Sequence, residues 1–176
     1  MKMTMGIALA AMVGLTGSPA LADMTAKDVQ VIAKTLGFTV PPLTGAVKVA
    51  VVFDPASPAS QKDADDLKGI LGSGLAVGAA TLSPVLVPIA QLDAGLNGTG
   101  LVLVTSGLSA QQERVFAAAK AKKLISVSPD AACVRSGHCV MGIKSEPKVE
   151  IVINKSAADA SSVSFAPAFR MMISEI

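Results

Sequence analysis

Tryptophan and tyrosine are absent from this 176-residue chain, histidine occurs once, and cysteine occurs twice. Charged residues make up only 16% and aromatic residues only 3%. Each shortage excludes something. Two cysteines are too few for a disulfide-dense scaffold, and the 15 glycines follow no period, which removes collagen-like chains. There is no Lys/Arg-rich run and the formal net charge is +2, so the basic patch of a nucleic-acid binder is missing. The lone histidine, His138, would have to serve any Ser-His or Cys-His scheme by itself. No G-x-x-x-x-G-K phosphate loop and no G-x-S-x-G nucleophile elbow occurs. Gly72-Ser73-Gly74 and Gly98-Thr99-Gly100 are weak glycine signals, and the first follows a helix instead of a strand. The sequence therefore predicts no enzyme, no cofactor and no metal.

Apolar residues are abundant: 51% of the chain is hydrophobic, which excludes a disordered chain and suffices for one domain of ordinary size. Residues 1–22 read as a secretory signal peptide. Lys2 is the positive start, Gly6 to Leu15 the apolar stretch, and Ala20-Leu21-Ala22 the cleavage motif, with the cut after Ala22. The alternative is a retained membrane anchor, since Met3 to Ala22 carries no charge. Export to an oxidising compartment, most simply a bacterial periplasm, makes a Cys133–Cys139 disulfide the expected use of the two cysteines. The rival is a metal site including His138, which lacks further ligands.

From Asp23 onward the pattern predicts a single α/β domain with an open, mostly parallel sheet, a C-terminal β-hairpin and a C-terminal helix. Thr25 caps a first helix with Val29, Ile32, Ala33 and Leu36 on one face, and Gly37 ends it. Val47 to Phe53 is a valine-rich run of the kind that forms a buried parallel strand. Ser60 and Asp63 suggest a capping box opening a second helix, with Asp63, Asp65 and Asp66 as exposed capping and solubility charges. Leu82 to Ile89, broken by Pro84 and Pro88, reads as an edge strand. Gly100 to Thr105 and Leu124 to Val127 are further strands, and Ser109 with Gln112 suggests a second capping box between them. Val140 to Ile143 and Val149 to Ile153 form the hairpin. Phe165, Phe169, Met172, Ile173 and Ile176 then recur at helical spacing.

Two places could bind something. Ligands of open α/β sheets lie beyond the carboxyl ends of the strands, and three such ends here are polar. Asp54, Ser57 and Ser60 follow one strand, Thr105 and Ser106 a second, and Ser126 with Ser128 a third; these are candidates for a small polar ligand. The bland account is that Ser and Thr serve as caps and turns. The C-terminal stripe of Phe165, Phe169, Arg170 and Met172 is a candidate partner-binding face, with core packing as its alternative.

Two family resemblances follow from particular residues. Leu124–Asp130 (LISVSPD), Gly142-Ile143 and Lys148–Asn154 (KVEIVIN) resemble the YfiR-like periplasmic family, in which Cys133 and Cys139 match a frequent cysteine pair. That resemblance implies a non-catalytic regulator that binds the periplasmic sensor domain of an inner-membrane protein and lowers cyclic-di-GMP signalling. The chain lacks that family's first cysteine pair and has Leu36-Gly37-Phe38 where an aromatic-Trp-Pro segment is usual. Val49–Ser60 (VAVVFDPASPAS) is similar to the strand-loop-helix start of substrate-binding proteins of bacterial ABC transporters, which implies a solute-binding lobe. Oligomeric state, including a homo-oligomer, stays open.

Overall fold

The computed structural model describes residues 23–176, so the signal-peptide reading lies outside the described residues. Strand β1 (Gly45–Phe53) runs through the middle of an eight-stranded sheet. Its side chains alternate between two cores, because a central strand must bury both faces. Val47, Val49 and Val51 join a cluster with Val29, Ile32 and Leu36 of α1 (Ala26–Leu36) and Leu67 and Leu71 of α2 (Pro58–Leu71). Ala50 and Val52 face the opposite cluster, beneath α3 (Leu92–Gly95), α4 (Gln112–Ala121) and α5 (Ala131–Arg135). Burying one such Val or Leu stabilises by about 1.5–3 kcal/mol, so this double-sided row dominates the fold.

The remaining strands are β2 (Leu75–Val77), β3 (Ala80–Pro88), β4 (Leu101–Val104), β5 (Ile125–Ser128), β6 (Met141–Lys144), β7 (Glu150–Ile153) and β8 (Ser174–Glu175). Their spatial order is β2-β3-β1-β4-β5-β6-β7-β8. Only the β2–β3 and β6–β7 pairings are antiparallel, so the sheet is mostly parallel, as expected, and β6–β7 is the expected hairpin. The chain leaves β1 through α2 toward β3, then returns through α3 to β4 on the other side of β1. The strand order therefore reverses between β1 and β4, which opens a crevice at their carboxyl ends. The edge reading of Pro84 and Pro88 fits the pairing, since β2 covers only Ala80 to Leu82 of β3.

The helices depart from expectation in three places. Helix α2 begins at Pro58 under a Ser57 cap, so Ser60 is an internal, buried residue and no capping box with Asp63 forms. Ser109 to Gln111 form a 3-10 turn and Gln112 starts α4, so the Ser109–Gln112 box does not form either; Gln112 Nε2 instead donates to Asp130 Oδ2 at 2.8 Å. The C-terminal helix is one turn, α7 (Pro167–Arg170), following α6 (Lys155–Ala160). Beyond it the chain extends as β8 beside β7, where Ile176 N donates to Ile153 O and Lys155 N donates to Ile176 O. Satisfied backbone groups along the sheet edge outweigh the helical spacing of the apolar residues.

Cys133 and Cys139 form the expected disulfide, with Cα atoms 5.3 Å apart. It ties α5 to the residues just before β6. Both thiols are thereby removed from metal binding. His138 is half-buried beside the bridge, and among the described residues no cluster of three or more His, Cys, Asp or Glu could hold a metal. No helix of the described residues is long and apolar enough to cross a membrane.

Candidate functional site at the carboxyl edge of the sheet

The crevice is held shut at its base by a chain of hydroxyl groups. Asp54 N donates to Ser60 Oγ at 2.9 Å, Ser60 Oγ and Thr105 Oγ1 are 2.6 Å apart, and Thr105 Oγ1 donates to Val52 O at 2.9 Å. Because the Thr105 proton goes to Val52 O, the Ser60 proton goes to Thr105. Every hydroxyl proton in the chain is engaged. Ser60 and Thr105 thus join α2 and the end of β1 to the end of β4. Gly107 follows with φ +77°, and a Cβ there would come 2.7 Å from Ser57 Oγ, so only glycine fits this turn without displacing its neighbour.

From this point a cleft of about 490 Å³ runs across the ends of β4, β5 and β6. Its floor and walls come from three loops and the start of α1. Thr105 to Gly107 and Ser109 supply the first wall, Pro129 to Ala131 the second, and Ile143 to Glu146 the third. Asp23, Thr25 and Asp28 close the fourth side. The N-terminal segment reaches the cleft because Asp63, buried at 1% exposure, pins it there. Asp63 Oδ1 accepts from Met24 N at 3.3 Å and Oδ2 accepts from Ser106 N at 2.8 Å. Burial pushes the Asp63 carboxyl above its ordinary value, against the pull of those two N–H groups. Ser106 Oγ also donates to Asp23 Oδ1 at 3.1 Å.

Asp28 completes the wall. It forms the capping box of α1, with its Oδ2 accepting from Thr25 N at 2.8 Å and from Thr25 Oγ1 at 2.6 Å. Its Oδ1 is buried with no hydrogen-bond partner among the described residues. Asp130 caps α5 through Oδ1 to Ala132 N and holds Gln112 through Oδ2.

The seven ligand candidates from the sequence therefore separate. Ser126 is fully buried within β5 and accepts from Val140 N at 3.0 Å. Thr105 and Ser106 line the cleft. Ser60 lies behind it in the hydroxyl chain. Asp54 accepts from Ala56 N and Ser57 caps α2, both on the β1 side of the crevice. Ser128 is buried next to the lining residues and accepts from Asp130 N at 3.1 Å. Asp63, Asp28 and Lys144 went unnoticed as site residues. A capping carboxylate three residues after Thr25 is a sequence signal for Asp28, but nothing local distinguishes a buried Asp63 from its exposed neighbours Asp65 and Asp66.

The partner-face candidates separate too. Phe165 and Phe169 are core residues, and Phe38 stacks on Phe169 with ring centroids 5.0 Å apart. Arg170 pairs with Glu175 through Nε at 2.6 Å and Nη2 at 2.8 Å. Met172 is 69% exposed and its neighbour Met171 83%.

No protein-family model matches the chain, and no curated protein does. Solved structures do. The fold is similar to an ABC domain from Streptococcus pneumonia in complex with L-Trp, with a TM-score of 0.61, 10% identity, and coverage of 84% of this chain and 60% of that one. It is equally similar to a conserved domain protein from Vibrio cholerae, with a TM-score of 0.61, 14% identity, and coverage of 85% of this chain and 59% of that one. The chain thus spans about three fifths of the length of these neighbours and shares with them a fold.

Proposed function

We propose that this chain is an exported, non-catalytic binding domain that takes a small polar ligand in the cleft at the carboxyl edge of its sheet. The observation that carries this reading is the position of the cleft, which opens beside the point where the strand order reverses, the usual ligand site of open α/β sheets. The likeness in fold to a domain in complex with L-Trp supports it, as does the local similarity of Val49–Ser60 to ABC-transporter substrate-binding proteins. The disulfide suits an oxidising compartment. The hydroxyls of Ser60 and Thr105 are engaged with each other and with Val52 O, so these two serve as a tie at the base of the crevice. The neighbours are longer chains, of which this one spans about three fifths.

The test is a thermal-denaturation screen of the purified protein against small metabolites. A ligand at a hundred times its dissociation constant stabilises by about 2.7 kcal/mol. For a domain of this size that raises the melting temperature by about 5–10 °C. A complete library without any shift would contradict the reading.

A second reading rests on the exposed Met171 and Met172, apolar side chains in the segment leading to the last strand. Exposed methionines suit an adaptable protein contact. In that reading the chain is the YfiR-like regulator of its resemblance and acts on an inner-membrane sensor domain. Cross-linked pull-down from the cell envelope should then lose its partner on Met171→Glu/Met172→Glu substitution; retention of the partner would count against it.

A further inference from the structure

The fold gathers lysines that the sequence scatters. In a parallel α/β sheet each crossover helix runs back from the carboxyl edge to the amino edge, so helix ends and strand starts meet there. Lys34, Lys68 and Lys120 stand in the last turns of α1, α2 and α4, at the amino edge. The helix dipole accounts for those three. It does not account for Lys48 in the first half of β1 or for Lys123 just before β5. Nor does it account for Lys155, which opens α6 beyond the end of β7 and so sits at the wrong end of its helix. All six are exposed. Among the described residues only Lys155 of the six has a carboxylate partner, Asp159, while Glu175 at the same edge is held by Arg170. Asp23, Asp28, Asp130 and Glu146 line the cleft at the opposite edge. The molecule is therefore polarised along its strands, with the cleft at the acidic end.

An apolar surface lies beside these lysines. Residues 35–47 and 160–169 carry no charged side chain. The fold joins the two segments, since Thr39 bridges to Phe165 and Phe38 stacks on Phe169. Phe38 is left 40% exposed and Val40 56%, with Met171 and Met172 more open still. A groove of about 460 Å³ lined by Phe38, Pro42, Leu43 and Val77 opens next to Lys34. Exposed apolar side chains flanked by unpaired lysines complement an acyl layer under anionic phosphates. The lysines extend from α2, which packs on β3, to α6 beside β7. That distance is about 25 Å at the usual strand spacing, an extent that suits a continuous surface and not one bound group. We infer that the amino edge is a docking surface for an anionic lipid bilayer. The lysines meet the phosphates, Phe38, Val40, Met171 and Met172 enter among the acyl chains, and the cleft faces away from the bilayer.

Cosedimentation with lipid vesicles tests this. It uses the chain from Asp23, which holds all eight strands and both cores, so that the apolar residues 1–22 do not contribute. Phosphatidylcholine vesicles with about a quarter phosphatidylglycerol should bind the protein about tenfold or more tightly than phosphatidylcholine alone, and the advantage should shrink as salt rises. Lys34→Gln/Lys48→Gln should weaken binding to the anionic vesicles by about 30-fold, since each lysine near such a surface contributes about fivefold. Lys27→Gln/Lys148→Gln makes the same change of charge at the carboxyl edge and should alter binding by less than about twofold. Met171→Ser/Met172→Ser should weaken binding by about tenfold and leave its salt dependence as it was. Equal binding to both kinds of vesicle, or equal loss from the two lysine pairs, would overturn the inference. Failure to bind either vesicle would overturn it too, and recovery of one protein in the envelope pull-down would then assign this surface to that protein. The small-ligand reading stands or falls separately, by the melting screen.

Discussion

Ser60 and Thr105 lie 45 positions apart in sequence and 2.6 Å apart in space. Each alone is an ordinary hydroxyl residue near a helix or strand end; the hydroxyl chain they share ties the start of α2 to the carboxyl ends of the paired strands β1 and β4. Ser60→Ala should leave the Asp54 N–H without its acceptor and cost about 1–3 kcal/mol. Thr105→Val should cost a similar amount, and the double variant less than the sum by about 0.5 kcal/mol or more, because the second change removes a group already unpaired. Urea unfolding of the four proteins measures this, and strict additivity would show that the two hydroxyls act separately. Asp63 sets a pH dependence. Burial raises its carboxyl above the ordinary 3.8, so the folded chain holds that proton more tightly than the unfolded chain. The stability this group contributes is greatest below 3.8 and is lost as pH rises through the raised folded value. The stability of the wild type minus that of Asp63→Asn should therefore decline with rising pH across that window. A flat or rising difference in a urea series would contradict the burial argument. None of this was legible in the sequence, since the partners of Ser60 and Asp63 are about forty residues away and no local pattern records them.

At the scale of elements, legibility followed the strength of local signals. The valine run of β1 and the apolar β4 and β5 announced themselves because a strand buried on both faces has little room for polar residues. Helix α1 was readable from its stripe and from the Thr25 cap. The C-terminal segment was not, because Phe165, Phe169 and Met172 satisfy a helical period while the vacant edge of β7 offers backbone pairing that the period does not reveal. The short helices α3 and α5 escaped for want of length, since one turn shows no periodicity. The disulfide was legible from compartment and count alone. It closes a loop with a sequence separation of 6 and joins α5 to β6 at the cleft's second wall. Reduction should lower stability by about 2 kcal/mol on the chain-entropy estimate. That corresponds to about 4–8 °C in melting temperature for a domain of this size. A scan with and without reductant reads it directly, and an unchanged midpoint would show that the bridge constrains nothing the fold does not already hold.

For the molecule as a whole, the order of strands was beyond the sequence, yet it positions the candidate cleft. The reversal between β1 and β4 places polar loop residues from four parts of the chain around one cleft. The candidates Thr105 and Ser106 were found because strand ends are the expected place to look; Asp28 and Lys144 were missed because they enter from α1 and the hairpin. The central claim is that this cleft is where the protein meets its ligand. Amide NMR of the labelled protein, titrated with the pool of small molecules extracted from its own cells, tests it most directly. The account predicts shifts concentrated at Asp28, Ser106, Gly107, Ser109 and Lys144, with Met171 and Met172 unmoved. Shifts confined to Met171, Met172 and Phe38, or an unperturbed spectrum, would contradict it.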